Sequence, residues 1–365
     1  MDPLSIAAFD FELPESLIAQ EPPAVRGDSR LLVLRRETAA VEHAMFPELP
    51  RFLRPGDLLV VNDTRVFPAR LLGRRVPSGG AVECLLLERA ATDAARAELP
   101  AAADPRVETW DALMHPGQKL KPGARVRFEA DGVRLDGEVL ERRFYGRRTV
   151  RLAVEQGTVA EAIDRLGHIP LPPYITRDDT PADRERYQTV FARDRGSIAA
   201  PTAGLHFTEP LLASLAAQGI ETARVTLHVG YGTFKPVRVE RVDEHTVDPE
   251  RFTVSEATAE ALTRAKREGR RIVAVGTTTT RALESLAVDG AGVVLPATGE
   301  TRTFIRPGHR FRLVDALITN FHLPRSSLLL LVCALGGTDA VLRAYREAVA
   351  RGYRFYSYGD AMLVG

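Results

Sequence analysis

The sequence of 365 residues has few of the residues that cross-link a protein or hold it in a membrane. Its two cysteines, Cys84 and Cys333, are too few for a disulfide framework or a thiolate zinc site, and they favour reduced, buried thiols. The segment from Met1 to Phe11 has no lysine or arginine, unlike the start of a signal peptide. The longest apolar run, Leu328 to Leu335, is far shorter than the ~20 residues that cross a bilayer. We therefore expect a cytoplasmic protein.

Neither sign of charge dominates, because 49 lysines and arginines stand against 48 aspartates and glutamates. This balance excludes a wholly basic protein that coats nucleic acid, although it permits a local basic face. The phosphate loop GxxxxGK(S/T), the zinc motif HExxH, paired CxxC motifs and the nucleophile elbow GxSxG are all absent. These absences argue against a nucleoside triphosphatase, a zinc protease and an α/β-hydrolase.

Three stretches with different patterns divide the chain, at about residues 1–68, 69–154 and 155–365. The first ends in a turn and an apolar run, Leu58 to Val61, which is typical of a buried strand. In the second, apolar residues alternate with charged ones around Val126 and Phe128, and Asp131-Gly132 supplies a hairpin turn. Several short strands there predict a small antiparallel barrel, with Ala90 to Ala103 as a surface excursion.

The third stretch alternates helix and strand patterns. Thr208, Ser255 and Thr338 are each placed to cap an amphipathic helix. The segments Ile220 to Val229 and Ile272 to Val275 are predicted strands. Alternating strands and helices predict an α/β domain with a mainly parallel sheet or barrel, and with its chemistry at the carboxyl ends of the strands.

Six polar clusters follow or flank these apolar segments, at residues 62–70, 196–207, 226–234, 276–281, 319–324 and 356–360. Each has a structural alternative to a ligand-binding role. The first cluster is equally typical of an ion-paired turn, and His206 of a buried structural histidine. The Gly230-Tyr231-Gly232 sequence fits a hairpin or bulge, and the threonines that follow Gly276 fit a hydroxyl-rich helix cap. Strand alternation places His228 on a polar face, where a core role is less favoured.

A basic stretch in the β-rich region includes aromatic residues. The arginines are Arg142, Arg143, Arg147, Arg148 and Arg151, with Phe144 and Tyr145 between them. This mixture is a candidate contact for an RNA backbone. The alternative is a charged strand face in contact with water.

The clusters, in this order, resemble the S-adenosylmethionine:tRNA ribosyltransferase-isomerases of queuosine biosynthesis. The matching segments cover nearly the whole chain, at residues 9–14, 20–30, 55–65, 185–191, 197–208, 319–324 and 353–363. One segment departs from the family pattern H-x-M-H-x-E. There His245 and Glu250 match, whereas Val247 and Asp248 replace the methionine and the second histidine.

The resemblance implies a larger, incomplete TIM-barrel-like α/β domain, residues 1–68 and 155–365, with a small antiparallel β-barrel domain, residues 69–154, inserted in it. It also implies the reaction. The ribosyl part of S-adenosylmethionine moves onto the aminomethyl group of a 7-deazaguanine in tRNA, which gives epoxyqueuosine-tRNA, adenine and methionine. S-adenosylmethionine is consumed as a substrate, so no cofactor or metal is expected. The expected partner is a tRNA with a GUN anticodon that carries the precursor base, and the expected state is a monomer.

This chemistry requires proton transfer near neutral pH, because a ribose carbon loses a proton and the departing adenine gains one. His206, His228 and Asp63 are the predicted proton-transfer groups. The guanidinium groups of Arg65, Arg70 and Arg281 are predicted to hold carboxylate or phosphate. Further predicted substrate contacts are Asn62, Thr64, Thr202, Tyr231, Thr233, Thr277, Thr278, Asn320 and His322. The predicted RNA contacts are Arg142, Arg143, Arg147 and Arg148.

Two other functions agree with the same residues. One is an RNA methyltransferase that uses S-adenosylmethionine, although no Gly-rich loop follows an early strand, as a conventional methyltransferase requires. The other is an RNA-binding protein without catalytic activity. Release of adenine and methionine, rather than S-adenosylhomocysteine, distinguishes the transferase-isomerase from the methyltransferase.

Overall fold

The computed structural model describes residues 4–90, 104–230, 232, 237 and 239–365, and these form two compact units. Unit 1 consists of Met1–Arg65, Pro172–Arg177 and Glu185–Gly365. Unit 2 consists of Val66–Leu171 and Asp178–Arg184.

The described residues contain strands and helices from both units. The strands are β1 (Arg30–Leu34), β2 (Val41–Met45), β3 (Leu58–Asn62), β4 (Thr64–Val66), β5 (Arg70–Val76), β6 (Ala81–Arg89), β7 (Val107–His115), β8 (Arg125–Ala130), β9 (Val133–Arg142), β10 (Arg147–Ala153), β11 (Asp194–Ser197), β12 (Glu221–Leu227), β13 (Glu250–Val254), β14 (Ile272–Val275), β15 (Ala297–Thr301), β16 (Ala316–Asn320) and β17 (Ala361–Val364). The helices are α1 (Val159–Leu166), α2 (Asp183–Arg186), α3 (Glu209–Ala217), α4 (Glu256–Arg267), α5 (Thr277–Glu284), α6 (Ser327–Gly336) and α7 (Thr338–Ala350).

Unit 1 is built on an open nine-stranded sheet in the order β15-β13-β12-β3-β14-β16-β17-β1-β2. The four central strands β12, β3, β14 and β16 run parallel, so their carboxyl ends lie along one edge. The flanking pairs β12–β13 and β16–β17 are antiparallel. The predicted α/β class is confirmed, with a mixed sheet rather than a mainly parallel one.

Both faces of this sheet are covered, which explains the continuous apolar run in β3. Leu58 and Val60 pack in one core cluster with α4, α6 and α7, while Leu59 and Val61 pack in a second cluster with α3. Strands that are buried on both faces are apolar at every position rather than at alternate ones. The same reason applies to β14, whose bounds match the predicted strand.

Two of the three predicted helix caps are confirmed. Thr208 accepts a hydrogen bond from the Leu211 amide, and Ser255 accepts one from the Thr258 amide, at the starts of α3 and α4. The third was wrong, because Thr338 is already the first residue of α7. The residue before it, Gly337, has φ +81°, which glycine adopts without strain.

Unit 2 contains a closed antiparallel barrel of six strands in the order β10-β7-β6-β5-β8-β9, which confirms the predicted barrel. The unit extends beyond the predicted boundary at residue 154, because α1 packs on β5, β8 and β9. Helix α1 buries Val159, Ala162 and Ile163 and is stabilised by a capping box between Thr158 and Glu161. Of the predicted excursion, residues 91–103 lie outside the described residues.

Within the described residues, no single helix has the length and apolar composition to cross a membrane. The consecutive helices α6 and α7 meet such a test only when taken together, and they are bent by 116° at the break between them.

Candidate active site

A cavity of about 560 Å³, part of which opens to solvent, lies in unit 1 where the carboxyl ends of β14 and β16 meet. The polar and aromatic residues that line it are Tyr174, Tyr187, Thr202, Thr277, Thr278, Thr319, Asn320, His322, Tyr356 and Ser357. These residues come from the strand ends, the first turn of α5, the short turn Thr202–His206 and the C-terminal segment. None of these side chains is a carboxylate, a lysine or an arginine, so the described lining has no formal charge when its histidine is neutral.

The threonine run at the start of α5 has two separate roles. Gly276 precedes the helix with φ +91°, and no side chain caps the helix there. The hydroxyls of Thr279 and Thr280 bond back to the carbonyls of Val275 and Gly276 at 2.6 and 3.1 Å. Thr277 and Thr278 instead face the cavity, as the ligand-binding prediction requires.

Asn320 is held in one orientation by its neighbours. Its Nδ2 donates to the Tyr356 carbonyl at 3.1 Å, which fixes the amide because a carbonyl only accepts. The same nitrogen lies 3.0 Å from Nε2 of His206, so Nε2 is the acceptor and Nδ1 donates to Ser29 Oγ at 2.8 Å. The Asn320 Oδ1 atom is buried, and it has no hydrogen-bond partner among the described residues.

His206 lies behind Asn320 and is not among the residues that line the cavity. Both of its ring nitrogens are bonded, and burial lowers its pKa to about 4. It is therefore a neutral imidazole at pH 7, with the proton on Nδ1. This geometry makes His206 a positioning residue for Asn320, whereas the sequence predicted proton transfer by His206 itself.

The buried histidines make the folded state sensitive to acid. Burial lowers the pKa of His206 to about 4 and that of His322 to about 3, whereas both ionise near 6.5 in an unfolded chain. The unfolded state therefore binds more protons below pH 6.5, and stability is lost as the pH falls from there. The expected loss is about 1.4 kcal/mol per pH unit for each group.

Denaturant unfolding followed by circular dichroism at pH 8, 6.5 and 5 measures this loss. The variant His322→Gln retains an acceptor near the Thr319 hydroxyl, which lies 2.8 Å from the ring nitrogen in the wild type. We expect this variant to lose less free energy of unfolding per pH unit, by the contribution of one histidine. A free energy of unfolding that stays constant down to pH 5 would contradict the prediction.

The residues that follow β3 form a second polar group at the same sheet edge. The Asn62 side chain accepts a hydrogen bond from the Leu227 amide at 3.0 Å and donates one to the Leu227 carbonyl at 2.9 Å. Asn62 therefore connects β3 to β12 rather than facing a ligand. Its Nδ2 also lies 3.3 Å from Thr278 Oγ1, which connects this group to the cavity. Thr64 Oγ1 lies 2.9 Å from Nδ1 of His228.

Asp63 and His228 have pKa values shifted in opposite directions. Burial raises the pKa of Asp63, although Oδ1 accepts a hydrogen bond from Thr226 Oγ1 at 2.7 Å. Burial, and then the charge of Arg251, lower the pKa of half-buried His228. Neither side chain lines the cavity, but the residue next to His228, Val229, does. Both shifts favour the uncharged form of the group, the carboxylic acid for Asp63 and the imidazole for His228.

The three predicted anion-binding arginines lie in different places. Arg281 is buried and paired with Glu250, and its Nε donates to the Thr303 carbonyl at 2.9 Å. Arg65 is exposed. Arg70 belongs to unit 2, where it is paired with Glu83 and Asp178. The predicted contacts Tyr231 and Thr233 lie outside the described residues.

Sequence reasoning missed the tyrosines of the cavity. The rings of Tyr174 and Tyr356 have centroids 3.8 Å apart, and the hydroxyl of Tyr174 contacts Ser357 Oγ. Tyr356 has φ +71°, a strained value for a bulky residue that is often found at functional sites. The C-terminal cluster contained Tyr356, but its carboxylate, Asp360, binds the backbone amides of Arg30 and Arg354 and is structural. No sequence motif marked Tyr174.

The predicted RNA contacts in unit 2 divide into exposed and buried arginines. Arg142 and Arg147 are exposed, and the side chain of Phe144 between them is 86% exposed. Arg143 is paired with Asp111 and Glu141. Arg148 departs from the prediction, because it is 1% exposed and its guanidinium donates to the carbonyls of Gly117, Leu120 and Arg147.

Comparison with known proteins gives full-length matches. The family model described as queuosine biosynthesis protein matches residues 6–364. The S-adenosylmethionine:tRNA ribosyltransferase-isomerase of Symbiobacterium thermophilum is 50% identical over 361 residues, which is 99% of this chain and 100% of that protein. The protein of the same name from Sorangium cellulosum is 51% identical, over 97% of each chain. The crystal structure of the S-adenosylmethionine tRNA ribosyltransferase of Thermotoga maritima is 38% identical with a TM-score of 0.53, over 98% of this chain and 100% of that one.

Proposed function

The chain belongs to the queuosine biosynthesis protein family, and we propose on this basis that it is an S-adenosylmethionine:tRNA ribosyltransferase-isomerase. It transfers and isomerises the ribosyl group of S-adenosylmethionine onto 7-aminomethyl-7-deazaguanine in tRNA, and it releases adenine and methionine. The observation that carries the proposal in the structure is the uncharged, aromatic cavity around Asn320. The methyltransferase and the non-catalytic RNA-binding protein are not favoured, since the relatives share the transferase-isomerase name.

The cavity suits a nucleoside that carries a positive sulfonium. The rings of Tyr174 and Tyr356 offer faces for stacking on adenine and for cation–π attraction to the sulfonium. His206 behind the cavity and His322 in its lining are neutral at pH 7, so neither repels the cation. The unpartnered Oδ1 of Asn320 accepts a hydrogen bond from the substrate, while Thr277 and Thr278 bond ribose hydroxyls.

The two shifted groups at the sheet edge supply the proton transfers. Neutral His228 removes the proton from the ribose carbon, and its lowered pKa keeps the imidazole neutral at physiological pH. Asp63, whose pKa is raised, gives its own proton to the adenine nitrogen as the bond to ribose breaks, and it takes up a new proton from solvent before the next turnover. S-adenosylmethionine is itself consumed, so the proposal includes no cofactor and no metal. We also propose that the protein is a cytoplasmic monomer and that its tRNA substrate has a GUN anticodon.

Incubation with S-adenosylmethionine and tRNA that bears the aminomethyl-deazaguanine tests the proposal. We expect adenine and methionine in equal amounts, and one ribosyl group added per tRNA. The control for the GUN requirement is a set of transcripts that have other anticodons and carry the aminomethyl-deazaguanine at another position. S-adenosylhomocysteine as the product, or unchanged S-adenosylmethionine in the presence of bound tRNA, would overturn the proposed function.

The exposed residues at the β9–β10 connection predict a contact with tRNA. An exposed aromatic ring stacks on an unpaired base, and an arginine beside it neutralises a phosphate. We expect Phe144→Ala to weaken binding by about 1–3 kcal/mol without changing its salt dependence. Arg142→Ala is expected to lower the slope of log K against log salt by about 1.

Filter binding or fluorescence anisotropy at several salt concentrations measures both effects. The control is Arg134→Ala, because Arg134 lies at the opposite end of β9 and is paired with Asp136. Unchanged affinity in both Phe144→Ala and Arg142→Ala would remove this connection from the RNA surface.

A further inference from the structure

A second cavity lies beside the first in unit 1. Its lining includes Asp248, Glu250 and Arg281, and Leu328 lines both cavities. Arg281 follows Thr277 on α5 by four residues, which is about one helical turn or a rise of ~6 Å. A ligand that contacts the threonines of α5 in the first cavity therefore reaches Arg281 through a short chain.

The Arg281 guanidinium has an unused donor. Its side chain is 10% exposed, its Nη1 is paired with Glu250, and its Nε donates to the Thr303 carbonyl. Its Nη2 is buried and has no hydrogen-bond partner among the described residues. A buried guanidinium that leaves a donor unpaired is unfavourable, so this atom points to an acceptor supplied by a ligand.

The charges that line the second cavity limit the classes of ligand that fit it. Glu250 neutralises Arg281, and half-buried Asp248 adds another negative charge to the lining. A phosphate or a dicarboxylate would meet two carboxylates there. A zwitterion meets complementary groups instead, because its carboxylate accepts from Nη2 and its ammonium lies near Asp248.

We propose that the second cavity binds the α-amino acid end of S-adenosylmethionine. The substrate carboxylate accepts a hydrogen bond from Arg281 Nη2, and its ammonium pairs with Asp248. Leu328 contacts the methylene groups that join this end to the sulfonium in the first cavity. This assignment rests on the proposed function, and it gives Asp248 a role in holding the substrate.

Titration calorimetry of the full chain with three ligands tests the assignment. The ligands are S-adenosylmethionine, its decarboxylated form and its deaminated form. We expect loss of the carboxylate to weaken binding about 10- to 100-fold, because a charge-assisted hydrogen bond to a buried donor is lost. We expect loss of the ammonium to weaken it about 3- to 10-fold, because Asp248 is only half-buried.

Two variants assign these losses to residues. Arg281→Lys keeps a positive charge for Glu250 but lacks Nη2, so it is expected to bind S-adenosylmethionine and the decarboxylated form equally. Asp248→Asn is expected to bind S-adenosylmethionine and the deaminated form equally. The control is Asp243→Asn, which removes a charge that is paired with Arg241 and does not line the cavity.

The outcomes separate the assignment from the proposed function. Equal affinity of the wild-type protein for all three ligands would overturn the assignment alone, as would undiminished discrimination in both Arg281→Lys and Asp248→Asn. Failure of S-adenosylmethionine to bind either the protein alone or the protein with tRNA bound would overturn the proposed function and the assignment with it.

Discussion

Replacing His228 by glutamine is expected to lower the single-turnover rate of adenine release ~10²- to 10⁴-fold, the usual contribution of a positioned proton-transfer group. An amide does not accept a proton near neutral pH, but it keeps a polar atom close to Thr64, which lies 2.9 Å from Nδ1 in the wild type. The ring also packs against Gly196, where a Cβ would lie 2.7 Å from it, so the imidazole has little freedom to move. Loss of rate in a variant that keeps the wild-type circular dichroism spectrum therefore reports proton transfer rather than loss of fold.

The pH dependence gives the same prediction a second readout. Burial lowers the pKa of His228 below its usual 6.5, and a base must be neutral to act. Protonation of His228 is therefore not expected to reduce activity above pH 6.5, and the acidic decline that it causes is expected only below that value. His228→Gln is expected to remove this acidic decline along with most of the rate.

The matched variant is His206→Ala. His206 orients Asn320 and is neutral throughout this range, so its loss is expected to slow the reaction while leaving the acidic decline in place. Quench-flow measurement of adenine from pH 5 to 8 separates the two. A His228→Gln protein that retains the wild-type rate would remove His228 from the mechanism, and a decline that disappears only in His206→Ala would exchange the two roles.

The sequence predicted the elements that position the site, because burial leaves a clear pattern. β3 and β14 are apolar at every position since helices cover both faces of the sheet, and such runs bounded by turns are readily recognised. The Ser255 cap and the barrel strands follow from equally local signals. The end of unit 2 did not, because α1 packs on the barrel through tertiary contacts that no boundary signal in the sequence marks.

The site itself was predictable in outline and not in the direction of each side chain. Polar residues at strand ends do gather at one edge, as Thr278, Asn320 and His228 show. The pattern cannot distinguish Asn62, which binds the backbone of β12, from Asn320, which lines the cavity. Tyr174 comes from the segment Pro172–Arg177, which joins unit 1 only through tertiary packing, so no local signal could have identified it.

Replacing Arg148 by methionine is expected to destabilise unit 2 by roughly 3–5 kcal/mol, because three hydrogen bonds from a buried charged donor are lost together. The guanidinium joins β10 to the segment between β7 and β8, where it donates to the carbonyls of Gly117 and Leu120 at 2.6 and 2.8 Å. Methionine fills much of the volume, but it leaves those carbonyls without a donor. The effect on stability would show that Arg148 holds the barrel together, and its 1% exposure argues against an RNA contact.

The single tryptophan of the chain makes this prediction directly measurable. Trp110 lies in β7 of the barrel and is 8% exposed, so its fluorescence reports the unfolding of unit 2. The control is Arg142→Met, because Arg142 lies opposite Arg148 in the register of β9 and β10 but is exposed. Loss of the Arg142 side chain is expected to change the free energy of unfolding by less than about 0.5 kcal/mol. An Arg148→Met barrel with the wild-type denaturation midpoint would contradict the structural role. Equal destabilisation by the two variants would mean that charge on this face, rather than the buried hydrogen bonds, stabilises the barrel.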